Sequence, residues 1–324
     1  MTAVVAVVGS AEIGKELGRR GTSSDITLYN LVRDGQVLTA VEPTQFPEKF
    51  PPLLYSIALA DRVVLVVAGL DRAFAESVAT LDLFDTPVGI YLSKGVGDGE
   101  VRRVLKGSRF ETAPLPELDI PHLREELLAW SPPPGPDGPV SVRLDHAFPV
   151  KGVGTVALGF VQRGTLHAHD RLRLWPTSRE VEVRSIQSQD VDVREAGRGT
   201  RVGVALKGVD ADELSRGQIL APAEGRRAGD RFLLGDRRDS RYYRGKVEPG
   251  AQLQLLVGLQ LVPGRIQSAT PDGIELTSDR PVVADVGDPV WLADLSAATG
   301  PRLVARAVLK EVKLDTPAAT SSSA

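Results

Sequence analysis

A nine-residue run, SPPPGPDGP at 131–139, sets the first limit on how this chain can fold. It holds five prolines and two glycines. Such a run lacks the N–H groups and dihedral freedom that a helix interior or a central strand requires. It reads as a linker, and the chain on its two sides has different textures. A second break falls near APAEGRRAGD, 221–230, and DTPAATSSSA ends the chain as a flexible tail over 315–324. At 324 residues, two or three domains are expected.

Residues 1–130 alternate between two patterns. AVVAVVG, RVVLVVAG and VGIYLSK are continuous apolar runs, and DITLYNLV and QVLTAVE flank the turn RDG. FPPLLYSIALAD, FAESVATLDLF and LDIPHLREELLAW read as helices. Continuous apolar strands between helices predict a parallel sheet covered on both faces. Residues 140–222 carry short β-rich runs separated by glycine-containing turns, which predict a small antiparallel barrel. Residues 228–314 repeat that texture. The expected fold is multidomain α/β + β: a doubly wound domain (1–130), the linker, and two antiparallel β-barrels (140–222 and 228–314).

Cysteine is absent, which excludes disulfides, thiolate metal sites and cysteine nucleophiles. His167 and His169 share a face if LHAHD is a strand, and with Asp170 they could touch a metal. A polar turn is the alternative, and no metal site is assigned. Net charge is −3, so any basic surface must be local. No apolar run approaches the roughly 18 residues of a membrane helix, and the first residues lack the basic region of a signal peptide. A cytoplasmic protein without membrane contact is expected.

The most specific motifs lie in the second domain. They are KGVGTV, the RGTL turn, the VRSIQ strand, AGRGTRVGVALKGVD and SRGQIL. In type and order these resemble the translational GTPases, in the elongation factor Tu and selenocysteine-specific elongation factor branch. The resemblance extends over nearly the whole chain and implies a P-loop GTPase-like first domain with two barrels of the elongation factor type. GDPVWLAD and GPRLVARAVL carry it, more weakly, in the third domain.

The first domain departs from that family at each nucleotide-handling station. The phosphate loop retains the GxxxxGK frame through Gly9, Gly14 and Lys15, but Glu16 replaces the Ser or Thr that holds Mg²⁺. Glu12 adds a second carboxylate, repulsive toward a triphosphate. The following segment, ELGRRGTSSDITLYN, contains Thr22 and Thr27 but is short for a mobile switch. Where the family has Asp-x-Pro-Gly-His, this chain has Glu42-Pro43-Thr44-Gln45-Phe46, and a phenyl ring cannot position water. The guanine-reading Asn-Lys-x-Asp becomes Ser93-Lys94-Gly95-Val96. Lys94 could still stack on a base, but Val96 accepts no hydrogen bond, and Asp98 comes two residues late. The vestigial nucleotide site is therefore Gly9, Gly14, Lys15, Glu16 and Lys94, with no catalytic residue. Gly9, Gly14 and Lys15 read equally as a tight strand-to-helix turn with a solvated lysine.

In that family the second domain holds the aminoacyl end of tRNA, so the resemblance marks Asp145, His146 and Arg201 as acyl-pocket candidates. An arginine there suits an anionic or polar group. The competing reading pairs Asp145 with Arg201 across barrel strands. The run from Arg226 to Lys246 has eight basic and three acidic residues. Arg226, Arg227, Arg237, Arg238, Arg241, Tyr242, Tyr243 and Arg244 are its RNA-contact candidates. A solvated connection with arginines paired to Asp230, Asp236 and Asp239 is the alternative. The expectation is an elongation factor-like pseudo-GTPase that binds tRNA or a ribosomal component through its barrels, with no cofactor. The alternatives are a divergent GTPase using GTP and Mg²⁺ through Glu16 and Asp98, and a scaffold for a protein partner such as another translation factor.

Overall fold

The computed structural model describes residues 2–313 except Ala11, Pro136, Gly225, Arg226 and Asp272. The first unit runs β1 (Thr2–Val8), α1 (Ile13–Leu17), β2 (Arg19–Ser23), β3 (Thr27–Arg33), β4 (Gln36–Glu42), α2 (Pro51–Leu59), β5 (Arg62–Val67), α3 (Arg72–Leu81), β6 (Val88–Leu92), α4 (Asp98–Leu105) and α5 (Ile120–Ala129). Its six-stranded sheet has the order β2-β3-β4-β1-β5-β6. Strands β4, β1, β5 and β6 are parallel, whereas β2 and β3 are antiparallel additions. The sheet is thus mixed rather than wholly parallel. Its hairpin arises because Asp34 and Gly35 both take positive φ, as the tightest right-twisted turn requires.

The sheet is buried on both faces, which explains the unbroken apolar runs. Val5, Val7, Val64 and Val66 meet Leu17, Leu123 and Leu127 on one face. Ala6, Val8, Val63, Leu65 and Val67 meet Leu53, Leu54, Phe74, Val78 and Val101 on the other. The segment ELGRRGTSSD, read from the sequence as short for a mobile switch, supplies edge strand β2.

The first barrel comprises β7 (Ser141–Val150), β8 (Gly154–Arg163), β9 (Thr165–His167), β10 (Arg171–Trp175), β11 (Arg179–Ser188), β12 (Val191–Val193), β13 (Glu195–Gly197), β14 (Arg201–Lys207) and β15 (Ile219–Ala221). Strands β10-β15-β7-β8-β14-β11 close through β10–β11, with β12 beside β11 and β9–β13 as a separate ribbon. Gly152 and Gly154 take positive φ at the β7–β8 tip, so KGVG is a hairpin turn. The second barrel comprises β16 (Ala228–Asp239), β17 (Gln252–Val257), β18 (Gln260–Ala269), β19 (Gly273–Val283), β20 (Pro289–Ala293) and β21 (Leu303–Lys313), closed in the order β16-β19-β18-β17-β20-β21. Strand β16 takes up residues 228–239 of the arginine-rich run, so that part of it is a barrel strand rather than the solvated connection of the alternative reading.

Two sets of contacts lock the first unit to the barrels. Against the second barrel, Trp291 stacks on Phe84 with ring centroids 4.2 Å apart. Its indole N–H donates to Leu83 O over 3.2 Å. Trp291 lies mid-strand in β20 rather than at an element boundary, and with Leu256, Ala293 and Leu303 it is part of the first unit's core. Beside it, Arg302 donates to both oxygens of buried Glu76 at 2.7 and 2.6 Å. Against the first barrel, Arg216 donates to both oxygens of Asp25 at 2.6 Å each and lies 4.6 Å from the Tyr55 ring centroid. Burial alone would raise the Asp25 carboxyl, but the Arg216 bonds win and bring it down to about 2.

Two outcomes follow from these locks. Trp291→Ala removes a buried ring shared by two units and should cost about 3–5 kcal/mol in denaturant unfolding. Asp25 is more acidic folded than unfolded, so its stabilisation is full above the ordinary value of 3.8 and fades as pH falls toward about 2. The stability difference between the wild type and Asp25→Asn should therefore hold from neutral pH to about pH 4 and shrink below it; a constant difference down to pH 2 would contradict the pairing.

Candidate functional site

The phosphate-loop frame sits between β1 and α1, and its glycines have local structural causes. Gly9 has φ +94°, and a Cβ there would lie 2.2 Å from Val66 O. A Cβ on Gly14 would lie 2.3 Å from the Tyr29 ring. Helix α1 has only five residues. Lys15 does not turn into the loop; its ammonium lies 2.6 Å from the Glu12 carboxylate, both exposed. Backbone carbonyl oxygen of Glu16 accepts from Arg124.

The loop interior is filled by the chain itself. Glu42, the last residue of β4 and 7% exposed, places Oε1 2.5 Å from the Gly14 N–H. The Tyr29 hydroxyl and the Glu12 N–H also bond this carboxylate. Burial pushes the Glu42 carboxyl above its ordinary range, the three donors oppose that rise, and the Glu12 charge adds to it. A loop whose N–H groups would face an anion thus already faces one. Sequence reading identified Glu42 as a replaced station but missed it as the occupant. The available signal was its length: glutamate reaches one methylene further than aspartate, opposite a loop without the metal-binding hydroxyl.

The remaining nucleotide stations point elsewhere. Phe46 and Val96 pack against the core under the sheet. Asp98 begins α4 and pairs with Arg102 at 2.9 Å. Lys94 is exposed.

Asp145, His146 and Arg201 are brought together, and with the first unit. Asp145 is 2% exposed; its Oδ2 lies 2.9 Å from Arg201 Nη2 and 3.1 Å from His146 Nδ1. Burial would raise the Asp145 carboxyl, but Arg201 and His146 hold it below the ordinary range. Arg201 Nη1 reaches Thr22 Oγ1 at 3.2 Å, and His146 Nε2 reaches Ser24 Oγ at 2.8 Å. Arg201 is therefore a partnered cation, and the pairing reading describes its geometry. Above it, β2 and the outer face of the first barrel enclose a cleft of about 920 Å³. Arg19, Arg20 and Arg201 line one side, and Val156, Leu158, Gly203 and Ala205 form an apolar floor.

The arginine-rich run is largely committed within the molecule. Arg237 pairs with Asp239 at 2.6 Å, Arg238 approaches Asp85 at 3.4 Å, and Arg241 donates to Gly107 O. The Tyr243 hydroxyl donates to Asp294 over 2.9 Å; burial and that carboxylate push it up to about 12. Tyr242 is half-buried beside Arg241. Arg227 and Arg244 remain exposed. Arg226 lies outside the described residues. Asp236 pairs with Lys310 rather than with an arginine of the run. His167 lies 3.9 Å from Asp170 and 3.4 Å from Glu195, and no cluster suited to a metal ion occurs among the described residues.

This architecture has close counterparts. The elongation factor Tu domain 2 family matches residues 154–221. An uncharacterized protein of Methanocaldococcus jannaschii, MJ0325, is 35% identical over 90% of this chain and 95% of its own length. The selenocysteine-specific elongation factor of the same organism is 27% identical over 85% of this chain, which spans 63% of that protein's length. The crystal structure of translation elongation factor SelB from Methanococcus maripaludis, in complex with the GTP analogue GppNHp, shares the fold. Its TM-score is 0.82 at 21% identity, over 97% of this chain and 80% of that one. No helix among the described residues is long and apolar enough to cross a membrane. The chain belongs to the translational GTPase-like family, as a homologue of selenocysteine-specific elongation factor and elongation factor 1-alpha.

Proposed function

We propose that this protein is a pseudo-GTPase of the translation-factor type. In this reading it works in the cytoplasm and binds tRNA or a ribosomal component through its barrels, without a GTP cycle. The observation that carries the first part is the Glu42 carboxylate on the Gly14 N–H. A nucleotide phosphate entering the loop would have to expel that carboxylate and the Tyr29 ring beside it, and would then face Glu12 and Glu16. Lys15, tied to Glu12, offers no compensating charge inside. Without a phosphate in place, nothing distinguishes one guanine nucleotide from another.

The cleft between β2 and the first barrel is the supporting feature for the second part. Its arginines suit a phosphate backbone, and its apolar floor suits the flat, weakly hydrated end of a ligand. Arg227 and Arg244 add exposed cations on the barrels; the other described members of that run serve the fold.

Calorimetric titration with GTP and GDP, with and without Mg²⁺, tests the first part. No heat of binding is expected at hundreds of micromolar nucleotide; micromolar Mg²⁺-dependent binding would overturn the pseudo-GTPase reading in favour of a divergent GTPase. For the second part, tRNA affinity should fall steeply with salt, with a log–log slope of about −0.7 to −0.9 per phosphate contacted. Replacing Arg19 and Arg20 together by Ala should make that slope shallower by about 1–2. An affinity flat in salt, or a slope unaltered by the double variant, removes the cleft from the RNA reading.

A further inference from the structure

The segment after Glu42, residues 43–50, meets the second barrel at Arg302 and reaches the first through Asp25. Gln45 N–H donates to Asp25 O over 3.1 Å, and Thr44 Oγ1 lies 2.5 Å from Thr27 Oγ1. Those two bonds hold the Asp25–Thr27 strand entry, and Asp25 carries the bidentate contact to Arg216 of the first barrel. Further along, Pro47 O accepts from Arg302 Nη2 over 3.1 Å, and the Phe50 ring lies 4.8 Å from the same guanidinium. Arg302 belongs to the second barrel's side of the interface and holds Glu76. The far end of the segment is thus pinned by Phe50 and Arg302. Its near end is held by the Glu42 side chain on the Gly14 N–H, together with the Thr44–Thr27 and Gln45–Asp25 bonds.

We infer that Glu42 is a built-in anion whose seat in the glycine loop fixes the 43–50 segment, and through it the setting of the first unit on both barrels. The inference rests on the reading of the loop as closed to nucleotide and adds what the closure does. A buried carboxylate with three donors is a poor choice for stability alone, because its burial penalty offsets much of its hydrogen bonding. It is a good choice for geometry. An acceptor gathering the N–H groups of Glu12 and Gly14 and the hydroxyl of Tyr29 has one position that satisfies all of them. An apolar residue at 42 would close the loop equally well but would remove the tie from Gly14 to this segment, leaving residues 43–45 to the pairing at Thr27 and the Thr44 and Gln45 bonds. The contact path from Gly14 to Arg216 is short and continuous: Glu42, then Thr44 and Gln45, then Asp25 and Thr27.

Hydrogen exchange of the nucleotide-free chain tests this. Glu42→Ala should raise exchange about tenfold to a hundredfold at the amides of residues 24–27 and 43–49. Amides inside β17, β20 and β8 should keep their protection. Tyr29→Phe removes one donor and leaves the ring on Gly14, so it should raise exchange at the same amides by a smaller factor; it also serves if Glu42→Ala does not fold. Exchange that rises only at residues 12–14, or equally over the whole chain, would overturn the inference. Because no nucleotide is present, GTP binding by the wild type in the calorimetric experiment would bear on the pseudo-GTPase reading alone.

Discussion

The carboxylate of Glu42 and the backbone of the glycine loop form the contact on which the first unit's relation to the barrels turns. Strand β4 ends at Glu42, since Pro43 has no N–H to continue the ladder, and the Glu42 side chain reaches Gly14. That return brings the next residues over β3, where Thr44 and Gln45 meet Thr27 and Asp25. From there the structure branches into two arginine clamps, Arg216 on Asp25 and Arg302 on Glu76. Both are two-pronged, and such pairs fix orientation as well as distance. Both are also partly sheltered, with arginine side chains 19% and 15% exposed, so solvent and salt screen them less than surface pairs.

Aromatic packing and these clamps divide the work between the two barrels. The second barrel is joined mainly through apolar surface: Trp291 on Phe84, with Leu256, Ala293 and Leu303 continuing the first unit's core. The first barrel is joined more by polar contacts, at Arg216–Asp25, Arg201–Thr22 and His146–Ser24. Phe160 of the first barrel adds a smaller apolar cluster with Ile26 and Leu28, which Leu259 of the second barrel joins. An apolar joint resists separation over its whole area, whereas a polar joint fails when a few geometries are lost. The first barrel's seat is therefore the one that depends on the exact course of residues 24–27, and those residues depend on the segment after Glu42.

Much of this was legible in the sequence, unevenly. The apolar runs marked β1, β5 and β6 because strands buried on both faces need no alternation. Pro51 and Pro52 marked the start of α2, and Asp34-Gly35 marked the hairpin. Strand β2 was not legible, since RRGTS is polar and small; it is held by backbone pairing to β3 rather than by side-chain burial. Strand β16 was hidden by its charge. Phe232 and Leu234 face the barrel core, while Arg231, Arg237 and Arg238 occupy the outer face, and irregularities in register interrupt the alternation. At the site, the departures at 16, 45, 46 and 96 could be read only against the motifs of the family that the chain resembles. What replaced them could not be. The partners of Glu42 are 13, 28 and 30 residues away in sequence, and the carboxylates held by Arg216 and Arg302 are 191 and 226 residues away. No local pattern encodes such pairs.

A switch between two domain arrangements needs a ligand that favours one of them. Moving an equilibrium from 1:99 to 99:1 takes about 5.5 kcal/mol of differential binding. On the proposed reading, an anion in the glycine loop would bring such energy to bear on residues 43–50, which touch the second barrel at Arg302 and reach the first through Asp25. Here the anion is covalently part of the chain, so its effect is constant and has no unliganded counterpart. Opening the interface would leave Glu76, 3% exposed, without its guanidinium and would bare one face of Trp291. Nothing entering the loop would offset either loss. On the proposed reading, a side chain seated in the loop sets the interface that a bound anion would otherwise have to set.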